Sequence, residues 1–367
     1  MKKKTELILL VAGGTGGHVF PATALNSELR SRGWETGFIT DTRGLKFLNV
    51  GSDTKVYQLN TVRSERKSLG RLRRILFFGI ASIKAIILIK GLKPRLVIGF
   101  GGSASIPSIL ASIFLGYPTI IHEQNAILGR ANRLLTKYVD QIATAYPKVL
   151  GIKPRYQNKV VLTGNPVRSE ITVIAQKKEI NPNQILILGG SQGAQIFSKT
   201  IPEAIKLLPT KLSERLIIYQ QCRLEDIEEV KLTYANTNVV STLATFFSNT
   251  PELIATSCLI ITRAGASTIA ELNTIGRPAI LVPYPSAMDD HQTANARIMA
   301  TSGGGWLISQ KDLTPIALAE RLTACLSSPT LLQAASICSG KIGYPHATQE
   351  LANVVENASD PATRMRL

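Results

Sequence analysis

Two glycine-rich segments hold the residues of this 367-residue chain whose types and spacing are best suited to chemistry. Segment 13–18 reads GGTGGH and segment 189–194 reads GGSQGA, and each follows a short apolar run. Glycines in such a loop let backbone N–H groups approach a ligand, and the start of a following helix adds a positive dipole. The pattern predicts two sites for phosphate-bearing ligands. A tight turn without a ligand is the alternative for each segment.

The two loops differ at their last position, which is His18 in the first and Ala194 in the second. A histidine beside the first turn of a helix lies near the positive end of the helix dipole, which favours its neutral form. Neutral imidazole is the form that a general base needs. We therefore predict that His18 acts on a reacting hydroxyl, with helix capping as the alternative. Neither loop fits GxxxxGK[ST], so ATP hydrolysis is disfavoured.

Further polar clusters follow other apolar runs, at the strand ends where open α/β sheets bind ligands. They read GGSAS at 101–105, HEQN at 122–125, RAGAST at 263–268 and DDHQ at 289–292. The third opens a predicted helix that carries Glu271, whose carboxylate could accept two hydrogen bonds from a ribose diol. The fourth opens another helix and includes Gln292. Ordinary turns, helix caps and a solvated helix face are the alternatives.

Short apolar runs alternate with helical patterns along the chain, and this order positions the polar clusters. The runs are read as buried parallel strands at 7–12, 37–40, 96–100, 119–121, 141–144, 184–188, 216–219, 259–262, 279–282 and 305–308. Helices are predicted at Pro21–Ser31 and Ser105–Leu115. The βαβ order predicts two Rossmann-like, doubly wound α/β domains, because the rhythm stalls near residue 164 and then restarts.

Composition narrows the class of protein. Lys and Arg number 42 against 25 Asp and Glu, which gives a net charge of +17. Such a surplus points to nucleic acid, an anionic membrane or a polyanionic substrate. The four cysteines have no CxxC spacing, which argues against a zinc ribbon or a disulfide scaffold and favours a reducing, cytoplasmic setting.

Much of the positive charge lies between residues 63 and 95, a segment that contains ten basic residues and one acidic residue. The segment also contains the apolar stretch Ile75–Ile89, which is shorter than the roughly 20 residues that span a bilayer. We predict a peripheral, anionic-membrane-binding patch formed by Ile75, Phe78, Ile83, Ile86, Arg73, Arg74 and Lys84. A buried helix and an RNA-binding face are the alternatives, and RNA is disfavoured because few aromatic side chains are available for stacking.

Six motifs, collinear along the chain, together resemble the MurG family of bacterial N-acetylglucosaminyltransferases. They are GGTGGHVFPA (13–22), HEQN (122–125), GNPVR (164–168), GGSQGA (189–194), RAGASTIAEL (263–272) and PYPSAMDDHQTANA (283–296). The family has the GT-B fold, in which two Rossmann-like domains face each other across a cleft. The resemblance implies domains at 1–164 and 165–340, with 341–367 crossing back as a helix onto the first.

The family's activity gives the expected function. Its members transfer GlcNAc from UDP-GlcNAc, with inversion, to the MurNAc 4-hydroxyl of undecaprenyl-pyrophosphoryl-MurNAc-pentapeptide (lipid I), forming lipid II for peptidoglycan. The resemblance implies no metal and no other cofactor. It implies work at the cytoplasmic face of the bacterial inner membrane, with UDP-GlcNAc, lipid I, anionic lipid and other cell-wall synthesis and division proteins as partners. Nucleic acid is not among them.

The resemblance also implies roles for single residues. His18 is expected to act as the catalytic base, with Glu123 as the second candidate. The acceptor diphosphate is expected to bind at loops containing Gly14, Gly102 and Ser103. Ser103 departs from the family, which often has an aromatic residue there. UDP-GlcNAc is expected to contact Thr15, Gly16, Gly17, Asn125, Arg168, Ser191, Phe247, Ala266, Ser267, Thr268, Ile269, Ala270, Glu271 and Gln292. The contact of Phe247 would be made by its backbone, to the uracil ring.

Other functions remain open at this point. A UDP-GlcNAc 2-epimerase or a glycolipid synthase of the same fold shares the motifs of the second half. An epimerase would release free sugar and would not need the basic segment. A non-catalytic, membrane-associated nucleotide-binding module would bind UDP without turnover. An RNA-binding protein would show salt-sensitive RNA affinity that does not depend on UDP.

Overall fold

The computed structural model describes residues 6–59, 71–176, 179–190 and 193–360, and for 71–76 it describes the backbone alone. The chain divides into two compact units, Met1–Arg168 with His346–Leu367 and Ser169–Pro345. The division falls close to the expected joins at 164 and 340. Both units are built on parallel sheets, so the predicted α/β fold class is confirmed.

The first unit is a parallel sheet covered by helices on both faces. Among the described residues its strands are β1 (Leu7–Val11), β2 (Glu35–Thr40), β3 (Lys55–Gln58), β4 (Leu96–Gly99), β5 (Thr119–Glu123), β6 (Gln141–Thr144) and β7 (Val160–Leu162). They lie in the order β3-β2-β1-β4-β5-β6-β7. The helices are α1 (Gly16–Ser31), α2 (Arg71–Leu92), α3 (Ser105–Phe114) and α4 (Arg130–Leu135).

The second unit repeats this plan. The described part of the chain contributes β8 (Asn181–Leu188), β9 (Ile217–Gln221), β10 (Val240–Ala244), β11 (Ser257–Thr262), β12 (Ala279–Leu281) and β13 (Gly305–Leu307), in the order β10-β9-β8-β11-β12-β13. Its helices are α5 (Ser169–Ile174), α6 (Gln195–Lys206), α7 (Thr210–Ser213), α8 (Ile227–Ala235), α9 (Thr250–Thr256), α10 (Ala266–Ile275), α11 (His291–Thr301), α12 (Pro315–Leu326) and α13 (Pro329–Lys341).

The last described helix, α14 (Ala347–Ser359), belongs to the first unit. Leu351, Ala352 and Val355 are fully buried in the core that the first-unit strands share with α1. Arg32 at the end of α1 donates a hydrogen bond to Glu356 at 2.7 Å. The C-terminal stretch therefore completes the first unit, and its apolar face explains why this stretch is helical.

Each sheet has a point at which the strand order reverses, and this point decides where the loops lie. In the first unit β1 pairs with both β2 and β4, and in the second unit β8 pairs with both β9 and β11. Loops that follow such neighbouring strands diverge to opposite faces and leave a crevice at the carboxyl ends. All four glycine- or arginine-led loops singled out after β1, β4, β8 and β11 lie at these two points.

The start of α1 corrects the sequence analysis, which placed it at Pro21. The helix begins at Gly16, and Pro21 lies inside it. The N–H of Val19 already donates to the carbonyl of Thr15 at 3.2 Å, so the first turn closes directly out of the glycine loop. Pro21 is the sixth residue of the helix, so its missing N–H removes the hydrogen bond that would reach the carbonyl of Gly17. His18 therefore lies within the first turn.

Candidate active site

Two glycine loops of the first unit, after β1 and after β4, pack backbone against backbone. The N–H of Gly13 donates to the carbonyl of Gly101 at 3.3 Å. A Cβ atom on Gly102 would lie 2.3 Å from the carbonyl oxygen of Gly13, and Gly102 has a φ of +83°. Only glycine fits both the space and the backbone angle there. This contact brings the predicted residues Gly14 and Gly102 together.

Asp41, at the carboxyl end of β2, ties these loops together, and the sequence analysis did not identify it. Its side chain is 5% exposed. Oδ1 accepts hydrogen bonds from the N–H groups of Gly14 (3.0 Å) and Gly44 (2.7 Å), and Oδ2 accepts one from the Ser103 hydroxyl (2.6 Å). Burial alone would raise the pKa of Asp41, but these three hydrogen bonds and the charge of Arg43 lower it overall. Asp41 is therefore a carboxylate that holds three turns.

His18 lies on the same loop as Gly14 and points toward the end of β5. Its Nδ1 is 3.2 Å from Oε1 of Gln124. Its ring also packs over the loop after β4, since a Cβ atom on Gly101 would lie 3.0 Å from its Cε1 atom. The imidazole is thus held between two loops at the reversal point of the sheet. Thr15, Gly16 and Gly17 form the turn that leads into it.

The first three residues of the HEQN cluster, at the end of β5, are buried. His122 is fully buried, and its ring lies 5.5 Å from that of Phe100, measured between centroids. Burial lowers the pKa of His122 to about 4, so this imidazole is neutral near pH 7. Its Nε2 is 3.0 Å from the carbonyl oxygen of Gly164. His122 is therefore a fixed, uncharged hydrogen-bonding group next to the end of the first unit.

Glu123, the second candidate for the base, has both carboxylate oxygens engaged. The side chain is 1% exposed. Oε1 accepts hydrogen bonds from the N–H and the side-chain amide of Asn125, each at 3.1 Å. Oε2 accepts from the N–H of Gly129 at 2.8 Å and from the amide of Asn132 at 2.9 Å. This arrangement shapes the turn after β5 and orients Asn125.

Arg168 is another residue of the first unit that is predicted to contact UDP-GlcNAc. It ends the segment Met1–Arg168 of the first unit and is partly buried. Its neighbour Val167 is fixed by a hydrogen bond from the Thr348 hydroxyl on α14, at 3.1 Å. The position of the GNPVR segment therefore depends on the returning C-terminal helix.

The glycine loop after β8 has the same tight backbone as the first. A Cβ atom on Gly189 would lie 2.6 Å from the backbone nitrogen of Ala194, and Gly190 and Gly193 have φ values of +81° and +69°. The N–H of Gly189 donates to Oε1 of Gln221 at 3.1 Å. Ser191, which was predicted to reach the donor diphosphate, lies outside the described residues.

The start of α10 has features suited to binding an anion. Residues 266–271 form its first turn and a half, and Gly265 precedes them in an extended conformation. The Ser267 hydroxyl is buried and has no hydrogen-bond partner within the described ranges. A buried polar atom without a partner costs free energy unless a ligand or water satisfies it. Together with the helix dipole, it points to a bound anion at this turn, with Glu271 one turn further along.

The other predicted residues of segment 266–271 differ in their burial. Ile269 is 1% exposed, so it can offer a ligand its backbone only. Thr268 and Ala270 are partly buried on the same turns.

Phe247 is 8% exposed and packs edge-on against Tyr219, with ring centroids 6.0 Å apart. Its carbonyl accepts a hydrogen bond from the Thr250 hydroxyl at 2.6 Å, which fixes the backbone predicted to meet the uracil ring.

Arg263 is a second residue that the sequence analysis did not single out. Its guanidinium carbon lies 4.9 Å from the ring centroid of Phe197 and 5.5 Å from that of Tyr284. It donates to the carbonyls of Val282 (3.2 Å) and Pro283 (3.3 Å). Burial lowers its pKa from the usual arginine value. Arg263 therefore braces the segment after β12 against the loop after β11.

That braced segment carries Gln292. The side-chain oxygen of Gln292 accepts a hydrogen bond from the N–H of Tyr284 at 2.9 Å. Just before it, Asp289 and Asp290 have φ values of +53° and +54°. Left-handed conformations at non-glycine residues cost free energy and concentrate at functional sites. The predicted sugar contact thus lies in the first turn of α11, directly after two residues in left-handed conformations.

Helix α2 in the first unit presents a long apolar surface to solvent. Ala81, Ala85 and Ile89 are buried, and Ala85 and Ile89 belong to the core formed by the strands and α3. On the other side the exposed residues are Phe77, Phe78, Ile80, Ile83 and Ile87, with Ile83 59% and Ile87 67% exposed. Lys84 is exposed beside them, whereas Ile86 is partly buried against the core. The side chains of Arg73, Arg74 and Ile75 lie outside the described part of the helix.

The search for membrane spans gives a separate result. Over the described ranges, every helix is too short or too polar to cross a bilayer.

Two doubly wound parallel units, each with glycine loops at the point where its strand order reverses, define the GT-B fold class. The solved structure of Acinetobacter baumannii MurG is similar, with a TM-score of 0.78 and 31% identity over 96% of this chain and 99% of that one. A putative UDP-N-acetylglucosamine 2-epimerase of Listeria monocytogenes shares the fold at a TM-score of 0.67 and 11% identity.

The chain belongs to glycosyltransferase family 28. The profile of the family's N-terminal domain matches residues 8–144, and that of its C-terminal domain matches residues 184–355. A protein of Paramagnetospirillum magneticum is 45% identical over 361 residues, 97% of each chain, and one of Rhodospirillum centenum is 43% identical over 371 residues, 98% of each. Both are named UDP-N-acetylglucosamine–N-acetylmuramyl-(pentapeptide) pyrophosphoryl-undecaprenol N-acetylglucosamine transferase. The family expected from the six motifs is confirmed.

Proposed function

We propose that this protein transfers GlcNAc from UDP-GlcNAc to the MurNAc 4-hydroxyl of lipid I, forming lipid II with inversion in peptidoglycan synthesis. The observation that carries the proposal is the 45% identity, over 97% of both chains, to a transferase with that name. The site supports it with two anion-ready loops, as a reaction between two diphosphate-bearing substrates requires. A shared fold alone would not separate a transferase from an epimerase.

The second unit would bind UDP-GlcNAc. The diphosphate would lie at the start of α10, where the Ser267 hydroxyl and the backbone N–H groups can donate to it. Glu271 would accept hydrogen bonds from the ribose hydroxyls, and the backbone of Phe247 would meet the uracil ring. Gln292, on its braced turn, would contact the sugar, as would Asn125 and Arg168. The same N–H groups and dipole would stabilise the charge that develops on UDP as it leaves.

The first unit would bind lipid I, with its diphosphate near the paired loops that contain Gly14 and Gly102. The 4-hydroxyl would attack the anomeric carbon from the side opposite UDP, and the bond from that carbon to UDP would break with its electron pair. His18 would take the hydroxyl proton. Glu123 is the weaker candidate for the base, because four hydrogen bonds already engage its oxygens.

The apolar surface of α2 supports a site of action at the cytoplasmic face of the cell membrane. Exposed apolar residues beside Lys84, in a chain with a net charge of +17, suit an anionic bilayer interface. Peripheral attachment there would bring the first unit to its lipid-linked acceptor. Contacts with other proteins of cell-wall synthesis and division belong to the same proposal.

The test is transfer of radiolabelled GlcNAc from UDP-GlcNAc to a short-chain lipid I analogue, with EDTA present. Lipid-linked disaccharide is the expected product. Binding of UDP-GlcNAc without label in the lipid would overturn the acceptor assignment, and free sugar would favour an epimerase or hydrolase. His18→Ala should lower kcat by about 100-fold or more with little change in KM for UDP-GlcNAc. An unchanged kcat would remove His18 from the role of base.

A further inference from the structure

A chain of hydrogen bonds runs through the first unit from His18 to the segment that ends it. Nδ1 of His18 is 3.2 Å from Oε1 of Gln124, and Nε2 of Gln124 is 3.1 Å from Nδ1 of His122. Nε2 of His122 is in turn 3.0 Å from the carbonyl oxygen of Gly164. Each of the three side chains can donate or accept in principle, so the direction of the hydrogen bonds must be fixed by a group that can do only one of the two.

The carbonyl of Gly164 supplies the first fixed point. A backbone carbonyl accepts hydrogen bonds and cannot donate them, so Nε2 of His122 must carry a proton. His122 is neutral, because full burial lowers its pKa to about 4. Neutral imidazole has one proton, so Nδ1 of His122 carries a lone pair. That lone pair can accept a hydrogen bond from the amide nitrogen of Gln124.

The carbonyl of His122 supplies a second, independent fixed point. Nε2 of Gln124 lies 3.1 Å from this carbonyl oxygen as well as from the ring nitrogen. With the amide turned the other way, Oε1 of Gln124 would face two acceptors. Both contacts therefore place the –NH₂ group toward His122 and the carbonyl oxygen toward His18. Oε1 can only accept, so Nδ1 of His18 must donate.

We propose that Gln124 and His122 are positioning residues that hold His18 as its Nδ1–H tautomer, with the lone pair on Nε2. The proposal depends on the function proposed above only for the use of that lone pair, which would receive the proton of the acceptor hydroxyl. Once His18 is protonated, the Nδ1–H group would still donate to Gln124, whose carbonyl dipole favours the imidazolium. The buried histidine thus acts on the reaction through two hydrogen bonds and never touches the substrate.

The orientation is well supported because the chain is anchored on backbone at both ends. The His122 carbonyl also accepts a hydrogen bond from the amide of Asn132 at 3.0 Å, which fixes the end of β5. At the other end, the N–H of His18 donates to the carbonyl of Thr15 within the first turn of α1. Neither imidazole can rotate away without losing partners inside the unit.

The direct test is the tautomeric state of the two imidazoles in the intact protein, with uniform ¹⁵N labelling and long-range ¹H–¹⁵N correlation spectra. The chain has four histidines, so spectra of His18→Ala and His122→Asn assign the signals. We expect the proton of His18 on Nδ1 and that of His122 on Nε2. A wild-type spectrum with the proton of His18 on Nε2 would overturn the proposal, whatever the activity.

Gln124→Met tests the link between the two histidines. The methionine keeps the length of the side chain but can neither orient His18 nor donate to His122. We expect His18 to lose its single tautomer and kcat to fall about tenfold to 100-fold, with KM for UDP-GlcNAc nearly unchanged. Gln124→Glu restores the acceptor for Nδ1 of His18 but loses the donor to His122. It should therefore recover the Nδ1–H tautomer of His18 and shift the pH profile of kcat to higher pH.

Gln141→Met makes the same chemical change at the start of β6, outside the chain of hydrogen bonds, and should leave the tautomer and kcat as in wild type. A single Nδ1–H tautomer in Gln124→Met would refute the link. The outcomes also separate this proposal from the proposed function. If the predicted tautomer is observed and His18→Ala is still active, His18 is not the base but the positioning proposal stands. If the proton of His18 lies on Nε2 and His18→Ala is inactive, the role of base stands and the positioning proposal is wrong.

Discussion

Asp41 offers the sharpest test of how the first unit is held together, through the substitution Asp41→Ala. This change leaves three donors without their acceptor, namely the N–H groups of Gly14 and Gly44 and the hydroxyl of Ser103. A buried donor without a partner costs about 1–3 kcal/mol, and the bonds to Gly14 and Ser103 are only partly buried. The expected loss is therefore about 3–5 kcal/mol. Asp41→Asn keeps Oδ1 and should lose about 1 kcal/mol.

The measurement is urea unfolding followed by the fluorescence of Trp34, which lies in the first unit. The chain has two tryptophans, and Trp306→Phe silences the one in the second unit. Asp53→Ala is the matched control, because Asp53 meets Arg30 at 3.6 Å with its side chain 82% exposed. Such a surface pair contributes about 0–1 kcal/mol. Equal midpoints for Asp41→Ala and Asp53→Ala would show that the loops do not depend on the buried carboxylate.

The effect of Asp41 should also depend on pH in a defined direction. Because the folded chain lowers its pKa below the ordinary 3.8, the contribution of Asp41 to stability is complete above that value. It is lost as the pH falls through the lower, folded value. The stability difference between wild type and Asp41→Asn should therefore be constant near neutral pH and shrink in acid. A difference that grew in acid would contradict this account of the carboxylate.

Three further predictions concern other parts of the first unit. Gly102→Ala should cost several kcal/mol more than Gly116→Ala, since both have positive φ but only Gly102 would meet a backbone carbonyl, at 2.3 Å; equal costs in urea unfolding would refute the close packing of the loops. Because burial lowers the pKa of His122 from 6.5 to about 4, stability should fall between those values on acidification by up to about 1.4 kcal/mol per pH unit, and His122→Asn should remove that slope from the measured unfolding free energy. Ile83→Glu should weaken binding to vesicles containing anionic lipid by about tenfold, whereas Leu232→Glu, at an exposed position of the second unit, should not; sedimentation of the two variants with vesicles decides.

The central strands of each sheet were predictable from the sequence, whereas three of the four edge strands of the described sheets were not. Strands such as β1 and β4 are buried on both faces and read as continuous apolar runs. The strands that sequence analysis missed, β3, β7 and β10, all lie at sheet edges. β3 reads KVYQ and is largely exposed, so its sequence resembles a polar loop. What makes it a strand is pairing with β2, which no local pattern encodes.

In the candidate site, the features set by local sequence were predictable, whereas those that depend on contacts between distant residues were not. Loops such as 13–18 were predictable because glycine spacing is local. Asp41 was not, since its bond to Ser103 joins residues 62 apart, although a carboxylate directly after a predicted strand was a signal that could have been used. The bond between His18 and Gln124 joins residues 106 apart. Sequence analysis also placed Ile86 in the apolar surface of α2, whereas the helix turns it partly toward the core.

The polar groups buried in the first unit argue that its loops are built for a ligand. Asp41 and Glu123 are 5% and 1% exposed, and their hydrogen bonds come from the turns that follow the strands and, for Asn132, from α4. Burying a carboxylate is unfavourable, and well-packed apolar side chains often stabilise a fold as well or better. Charge in these positions therefore needs another reason. A rigid set of N–H groups and one oriented imidazole are what transfer to a hydroxyl requires, and apolar packing could supply neither.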